Sequence, residues 1–233
     1  MIGVIVPAHD EAQCIGRCLA AIAVAAADPR LQGEEVVVVV ALDACSDATA
    51  AVCLAHGVAT VTVDARCVGS ARAAAARFAL ASGARWIAST DADTVVPPDW
   101  LSRQISCGAD AFCGVVGVMD WLDYPDPVRT AFAEREATRD GHRHIHGANL
   151  GVSAAAYLAV GGFQELHSGE DVALVDAIAR NGAHIAWLAR PAVATSARRA
   201  ARAEHGFSSF LRALEREVVG AGAGLLPSRM VPE

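Results

Sequence analysis

Apolar residues fall along this chain in two textures: short unbroken runs, and stretches in which they recur every three or four positions. Ile2 to Val6 and Val36 to Leu42 are runs of the first kind, the pattern of strands buried on both faces. Val58 to Val63 and Trp86 to Thr90 read the same way. Between them Ile15, Cys18, Leu19 and Ile22 recur at helical spacing, and Ala48 to His56 reads as a helix ended by Gly57. Ser70 to Ala81 reads as a long alanine-rich helix stopped by Gly83. Pro7 is expected to stop the first strand, and Asp10-Glu11 to open the next helix, where acids suit the macrodipole. Three strand–helix units followed by a fourth strand predict a three-layer α/β domain with a mostly parallel sheet.

The second half is less regular. Ala111 to Met119 and Ala183 to Leu188 read as strands, and Pro127 to Arg139, Ser153 to Leu158, Val172 to Arg180 and Phe207 to Val219 as helices. His142, His144 and His146 alternate, which on a strand puts all three on one face. Three such histidines invite a zinc reading; the alternative is that they line a ligand pocket. Trp121 and Tyr124 either stack on a ligand or pack the core. Residues 221–233, rich in Gly and Pro, are expected to form a flexible tail.

Composition narrows the class. With 233 residues, 54% of them hydrophobic and 19% charged, the chain suits one globular domain or two tightly packed halves, able to bury a real core. A net charge of -7 offers no basic field for nucleic acid. The longest apolar runs, such as Leu19 to Ala27, are too short to span a bilayer, and no basic n-region marks a signal peptide. Seven cysteines without a CxxC pair read as small reduced hydrophobes, so a cytoplasmic protein is expected.

The candidate chemistry sits at the strand ends. Each predicted strand runs into an acid-bearing loop: Asp10-Glu11, Asp43, Asp64 to Arg66, and Asp91-Ala92-Asp93. A parallel sheet brings those ends to one edge, where ligands bind in open α/β folds. Asp91 and Asp93, one residue apart on an extended chain, share a face. Two close carboxylates resist ionising together unless a cation lies between them, and a hard divalent ion with open positions for phosphate oxygens is the usual solution. The plainer alternative is a cap for the helix near Pro98. A dinucleotide fingerprint is missing after the first strand, and so is a P-loop.

Several motifs then fall in order. Pro7-Ala8-His9-Asp10-Glu11, the loop Asp43 to Thr49, Gly69-Ser70-Ala71-Arg72, Asp91-Ala92-Asp93, Gly147-Ala148-Asn149, Gly161-Gly162-Phe163 and Glu170-Asp171 together resemble the family 2 glycosyltransferases of the GT-A fold, within the nucleotide-diphospho-sugar transferase superfamily. The likeness covers roughly residues 2 to 195. It departs from many members where Ser196-Ala197-Arg198-Arg199 stands in place of a Gln-x-x-Arg-Trp segment, and processive relatives carry that segment plus membrane helices. The resemblance therefore implies a single-addition enzyme without a transmembrane segment.

It also implies one GT-A domain over residues 1–220: a nucleotide-sugar half to about residue 115, and an acceptor half from about 116. A metal-dependent, inverting transfer would take a UDP- or GDP-sugar to a hydroxyl of a small metabolite, lipid-linked sugar or glycan. Pro7, Asp10 and Glu11 would edge the nucleoside pocket, Asp43 would meet the base, and Arg72 would reach the base or the phosphates. The bland reading of Arg72 is the exposed face of an alanine-rich helix. Asp91, Ala92 and Asp93 would lie at the ribose and metal, with Asp93 the direct ligand of Mn2+ or Mg2+ and His205 a further ligand. Asp171, beside Glu170, would be the general base. Arg198, Arg199 and Arg202 would contact phosphate or acceptor, or form a solvated charged loop. A homodimer stays open. The competing functions are a non-catalytic nucleotide-sugar scaffold and a nucleotidyltransferase of related fold.

Overall fold

In a computed structural model, which describes residues 1–136, 139–199 and 206–223, a seven-stranded sheet forms the middle layer. In chain order the elements are β1 (Ile2–Ala8), α1 (Ile15–Ala26), β2 (Val36–Asp43), α2 (Thr49–Ala55), β3 (Ala59–Val63), α3 (Val68–Ala81), β4 (Trp86–Ser89) and α4 (Trp100–Ser106). The second half adds β5 (Ala111–Asp120), α5 (Asp126–Arg135), β6 (Leu150–Ser153), α6 (Ala154–Ala159), α7 (Glu170–Arg180), β7 (Ile185–Ser196) and α8 (Phe207–Ala223). The sheet order is β3-β2-β1-β4-β6-β5-β7, with only β6 running antiparallel to its neighbours.

The alternation along β1 divides the core in two. Ile2, Val4 and Val6 point to the side packed by Ile15, Leu19 and Ile22 of α1 and by Trp100 and Leu101 of α4. Ile5 points to the other, packed by α3 and by Leu174, Val175 and Ile178 of α7. Alanine along α3 lets that helix lie close on the sheet: a Cβ at Gly3 would come within 2.6 Å of the Ala79 Cβ. A smaller third cluster joins α5 to α8 through Val128, Phe132, Leu211 and Leu214. Trp121 and Tyr124 belong to it, with Trp121 edge-on to both Tyr124 and Phe132, so they pack the core rather than offer a sugar platform.

Five expectations change. Strand β1 runs on through Pro7 to Ala8. Pro7 shares the in-plane orientation of Ile5, whose carbonyl accepts from Thr90 N on the β4 side, and β4 ends opposite Ile5. The missing N–H therefore falls where no ladder remains. Helix α1 starts at Ile15, not at Asp10-Glu11, because Asp10 takes a left-handed turn (φ 52) and spends its carboxylate on the β2–α2 loop. Strand β6 was not expected, and the three histidines before it lie on irregular backbone rather than on a strand. Strand β7 extends past the expected end at Leu188 to Ser196, since a register shift against β5 between Leu188 and Val193 absorbs Arg190-Pro191. Helix α8 enters the segment expected to be a tail; 224–233, His205 and Arg202 lie outside the described residues.

Among the described residues no helix is long and apolar enough to cross a membrane.

Candidate functional site

A cleft of about 910 Å³ opens at the carboxyl ends of β1, β2 and β4, and α7 and the end of β7 close it from the other side. Pro7, Glu11, Asp43, Arg72, Asp91, Ala92, Asp93, Glu170 and Asp171 all line it. Asp10 stands just outside. Its carboxylate accepts from Ser46 N at 2.7 Å and Asp47 N at 3.1 Å, and the Ser46 N–H chiefly holds its pKa below the ordinary value.

Asp43 ends β2 with its carboxylate turned onto the β3–α3 loop. It accepts from the backbone N–H groups of Ala65 (2.8 Å), Arg66 (2.8 Å) and Cys67 (2.7 Å). That fixes a loop in which Arg66 sits at φ 47. Whatever Asp43 does for a base, it first braces the wall that would face one.

Arg72 is not on the exposed face of α3. It is 3% exposed and joins four elements. Its Nε donates to Glu170 Oε1 at 2.9 Å, Nη2 to Asp91 Oδ1 at 2.6 Å, and Nη1 to Gly147 O at 3.1 Å and to Ser89 Oγ. A buried guanidinium is tolerable because its planar donors all find acceptors. Gly147 is glycine for a steric reason, since a Cβ there would lie 2.5 Å from Arg72 Nη2. Gly69 likewise lets α3 meet the 164–166 backbone, where a Cβ would lie 2.1 Å from Gln164 O.

Asp93 is the more buried of the Asp-x-Asp pair, its side chain 11% exposed against 38% for Asp91. Burial pushes its pKa up to about 6. Thr195 Oγ1 donates to its Oδ1 at 3.2 Å, and the Arg198 guanidinium lies 3.2 Å from its Oδ2. Arg198 also grips Glu11 through two hydrogen bonds of 2.6 Å. The turn that carries the pair is clamped to β7 by Val95 N to Ala194 O at 2.8 Å and the reciprocal bond at 3.0 Å. Arg199, by contrast, pairs with Asp123 and Glu215 and lies over the Tyr124 ring, away from the cleft.

The donor set fits a hard divalent cation. Two carboxylates face the cleft, one of them buried enough that its charge needs a counter-cation, and Arg198 fills that need here from β7.

Across the cleft, Gly169 at φ 77 turns the chain into α7 and puts Glu170 and Asp171 in its first turn. Asp171 Oδ2 accepts from Gly147 N at 2.7 Å and Oδ1 from Val172 N at 2.8 Å. Asn149 of the same Gly-x-Asn segment is buried structure: it accepts from Trp100 Nε1 and donates to the carbonyls of Val115 and Pro191, each at 2.9 Å. Sequence reasoning missed Thr195, Ser89 and the backbone of Gly147. The first two carried no signal beyond strand alternation; Gly147 stood in a motif whose steric cause only the fold reveals.

A family model described as glycosyltransferase like family 2 matches residues 1–220. No curated protein matches the chain. Among solved structures it is similar to TarS 1-349 of S. aureus in complex with UDP-GlcNAc, at 14% identity and TM-score 0.66, covering 98% of this chain and 74% of that one. Against a longer TarS chain it spans 44% of that chain's length. The mannosyltransferase PcManGT from Pyrobaculum calidifontis, in complex with GDP-Man and Mn2+, aligns at 20% identity and TM-score 0.59, over 99% and 65%. Glucosyl-3-phosphoglycerate synthase from Mycobacterium tuberculosis, in complex with Mn2+, UDP and phosphoglyceric acid, aligns at 19% and 0.57, over 100% and 81%. At these identities the likeness to the solved structures is one of fold.

Proposed function

As a member of glycosyltransferase-like family 2, to which this chain belongs, the protein is a glycosyltransferase of the GT-A fold, and we propose that it transfers a sugar from a UDP- or GDP-sugar to an acceptor hydroxyl with inversion. The observation that carries this reading is the placement of Asp171. Its carboxylate is held by the Gly147 N–H on the wall of the same cleft that Asp91 and Asp93 line. In the proposed reaction the acceptor oxygen attacks the anomeric carbon, Asp171 takes the hydroxyl proton, and the sugar–phosphate bond breaks with its electron pair leaving on the diphosphate. Asp93 and Asp91 would hold Mn2+ or Mg2+, which supplies Lewis-acid stabilisation of the leaving diphosphate. Arg72 holds Asp91 and Glu170 in register through its hydrogen bonds to both, and Asp43 fixes the loop that borders the nucleoside. Residues to about 115 would form the donor half and those from about 116 the acceptor half.

The complete acid set counts against a non-catalytic scaffold, and the missing glycine-rich basic loop after β1 counts against nucleotidyl transfer. The test is a thermal-shift panel of UDP, GDP, UDP-glucose and GDP-mannose with Mn2+, Mg2+ or EDTA, followed by nucleoside-diphosphate release. We expect a metal-dependent shift with one nucleotide that Asp93→Ala abolishes. Asp171→Asn should keep that shift and lose turnover. Turnover retained in Asp171→Asn sinks the base assignment, and no shift with any nucleotide sinks the donor site.

A further inference from the structure

On the acceptor side of the cleft, one group of side chains is left unexplained by the reaction. Glu136, at the end of α5, is 6% exposed, and its Oε2 is buried with no hydrogen-bond donor. Two imidazoles face it. His146 Nε2 lies 3.7 Å and His144 Nδ1 3.9 Å from that oxygen, both too long for hydrogen bonds. His146 Nε2 is itself buried and unpartnered. The rings of His144 and His146 stack with planes 10° apart, and His142 stacks on His144 from the other side while meeting Trp187 edge-on. Three would-be ligands thus surround one point, and two of their atoms, Glu136 Oε2 and His146 Nε2, are buried there without a hydrogen-bond partner.

We propose that Glu136, His144 and His146 form a second metal site, for a borderline transition ion such as Zn2+, on the wall of the cleft. The three donor atoms lie within 4.8 Å of one another. Ligands bound at ~2.0–2.1 Å in a tetrahedron stand about 3.4 Å apart, so the 3.7 and 3.9 Å separations need only small side-chain rotations. Two imidazoles and one carboxylate suit Zn2+ better than the hard ion favoured by two carboxylates. Such a set leaves a fourth position, and since Glu136 and His146 line the cleft, that position is available to water or an anionic oxygen of a cleft ligand. The site also bears on Asp171: the residue after His146 is Gly147, whose N–H holds the Asp171 carboxylate. Metal at this point would pin the backbone that positions the proposed base.

The test keeps the two metal sites apart. The full-length Asp91→Ala/Asp93→Ala protein, stripped with chelator, is titrated with Zn2+ against a chromophoric competitor and with Co2+ by visible absorption. About one equivalent should bind, with Co2+ bands of a low-coordinate site carrying nitrogen ligands. Adding His144→Ala and His146→Ala should remove that equivalent while the melting transition stays cooperative. If the alanine variant does not fold, His146→Gln, which preserves size, is measured instead and should lose the Co2+ bands. No binding in the stripped protein overturns the proposal, and so does binding that survives loss of the histidines. Because the readout is metal occupancy and not turnover, its failure is distinct from failure of the glycosyltransfer reading.

Discussion

Asp93→Asn is expected to make the metal-free protein more stable at neutral pH. The side chain is 11% exposed, and burial raises its pKa from 3.8 to about 6. A carboxyl whose folded pKa is raised favours folding most while it is protonated. Its contribution is therefore complete below about pH 4 and is lost as pH climbs through about 6. At 1.36 kcal/mol per pKa unit, carrying the charge at pH 8 costs the folded state about 3 kcal/mol. Asparagine keeps the shape, can still accept from Thr195, and leaves Arg198 its two bonds to Glu11. For a chain of this size, ~2–4 °C per kcal/mol turns that cost into a gain of about 6–12 °C in Tm. Melting curves of wild type and variant in EDTA from pH 4 to 8 give the difference, in which groups common to both cancel. The gap should open between pH 4 and pH 7, and Mn2+ should narrow it by stabilising only the wild type. A gap that is absent at pH 8, or that widens toward pH 4, refutes the reasoning.

Arg72→Met should destabilise strongly, by about 3–5 kcal/mol, because it leaves the nearly inaccessible Glu170 carboxylate without its guanidinium. Chemical denaturation should show the loss, and Arg72→Met/Glu170→Gln should recover part of it. Gly147→Ala meets Arg72 at 2.5 Å, so the segment must move and take the N–H that holds Asp171 with it. We expect kcat to fall by about 100-fold with donor KM little changed, since a displacement of ~1 Å in a catalytic group costs that much.

The first half of the fold was legible because its signals are local. Unbroken valine runs, helices ended by Gly57 and Gly83, and acids at every strand end all lie within a few residues of what they specify. Later elements were harder to read because their causes are tertiary. Strand β6 is four residues long and reads as the lead into α6; it becomes a strand only because β4 and β5 flank it. Strand β7 crosses Arg190-Pro191 because β5 tolerates a shift in register. Within the site, sequence reasoning identified the carboxylates but not what opposes them. Arg198 could equally have been a solvated charge until β7 was seen to deliver it between Glu11 and Asp93.

The charge of the cleft ties these observations together. Among the described residues its lining carries seven carboxylates (Glu11, Asp43, Asp91, Asp93, Glu136, Glu170 and Asp171) against three guanidiniums (Arg66, Arg72 and Arg198). With histidines neutral and the acids ionised, that leaves four net negative charges. A nucleoside-diphosphate sugar brings further negative charge, so attraction cannot come from this lining alone. Arg72 cannot turn to meet it, because its donors are committed to Glu170, Asp91, Ser89 and Gly147. Arg198 reaches Asp93 from just past the end of β7 and lies 3.2 Å from its Oδ2. On the proposed reading, a divalent ion held by Asp93 would compete with that guanidinium. On that reading the exchange would free the guanidinium to pair with phosphate oxygens. Without donor, the buried carboxylates of Glu11 and Glu170 are paired by Arg198 and Arg72. On that reading donor and metal together would bind more favourably than either alone, because each would supply the charge that the other's arrival leaves uncompensated.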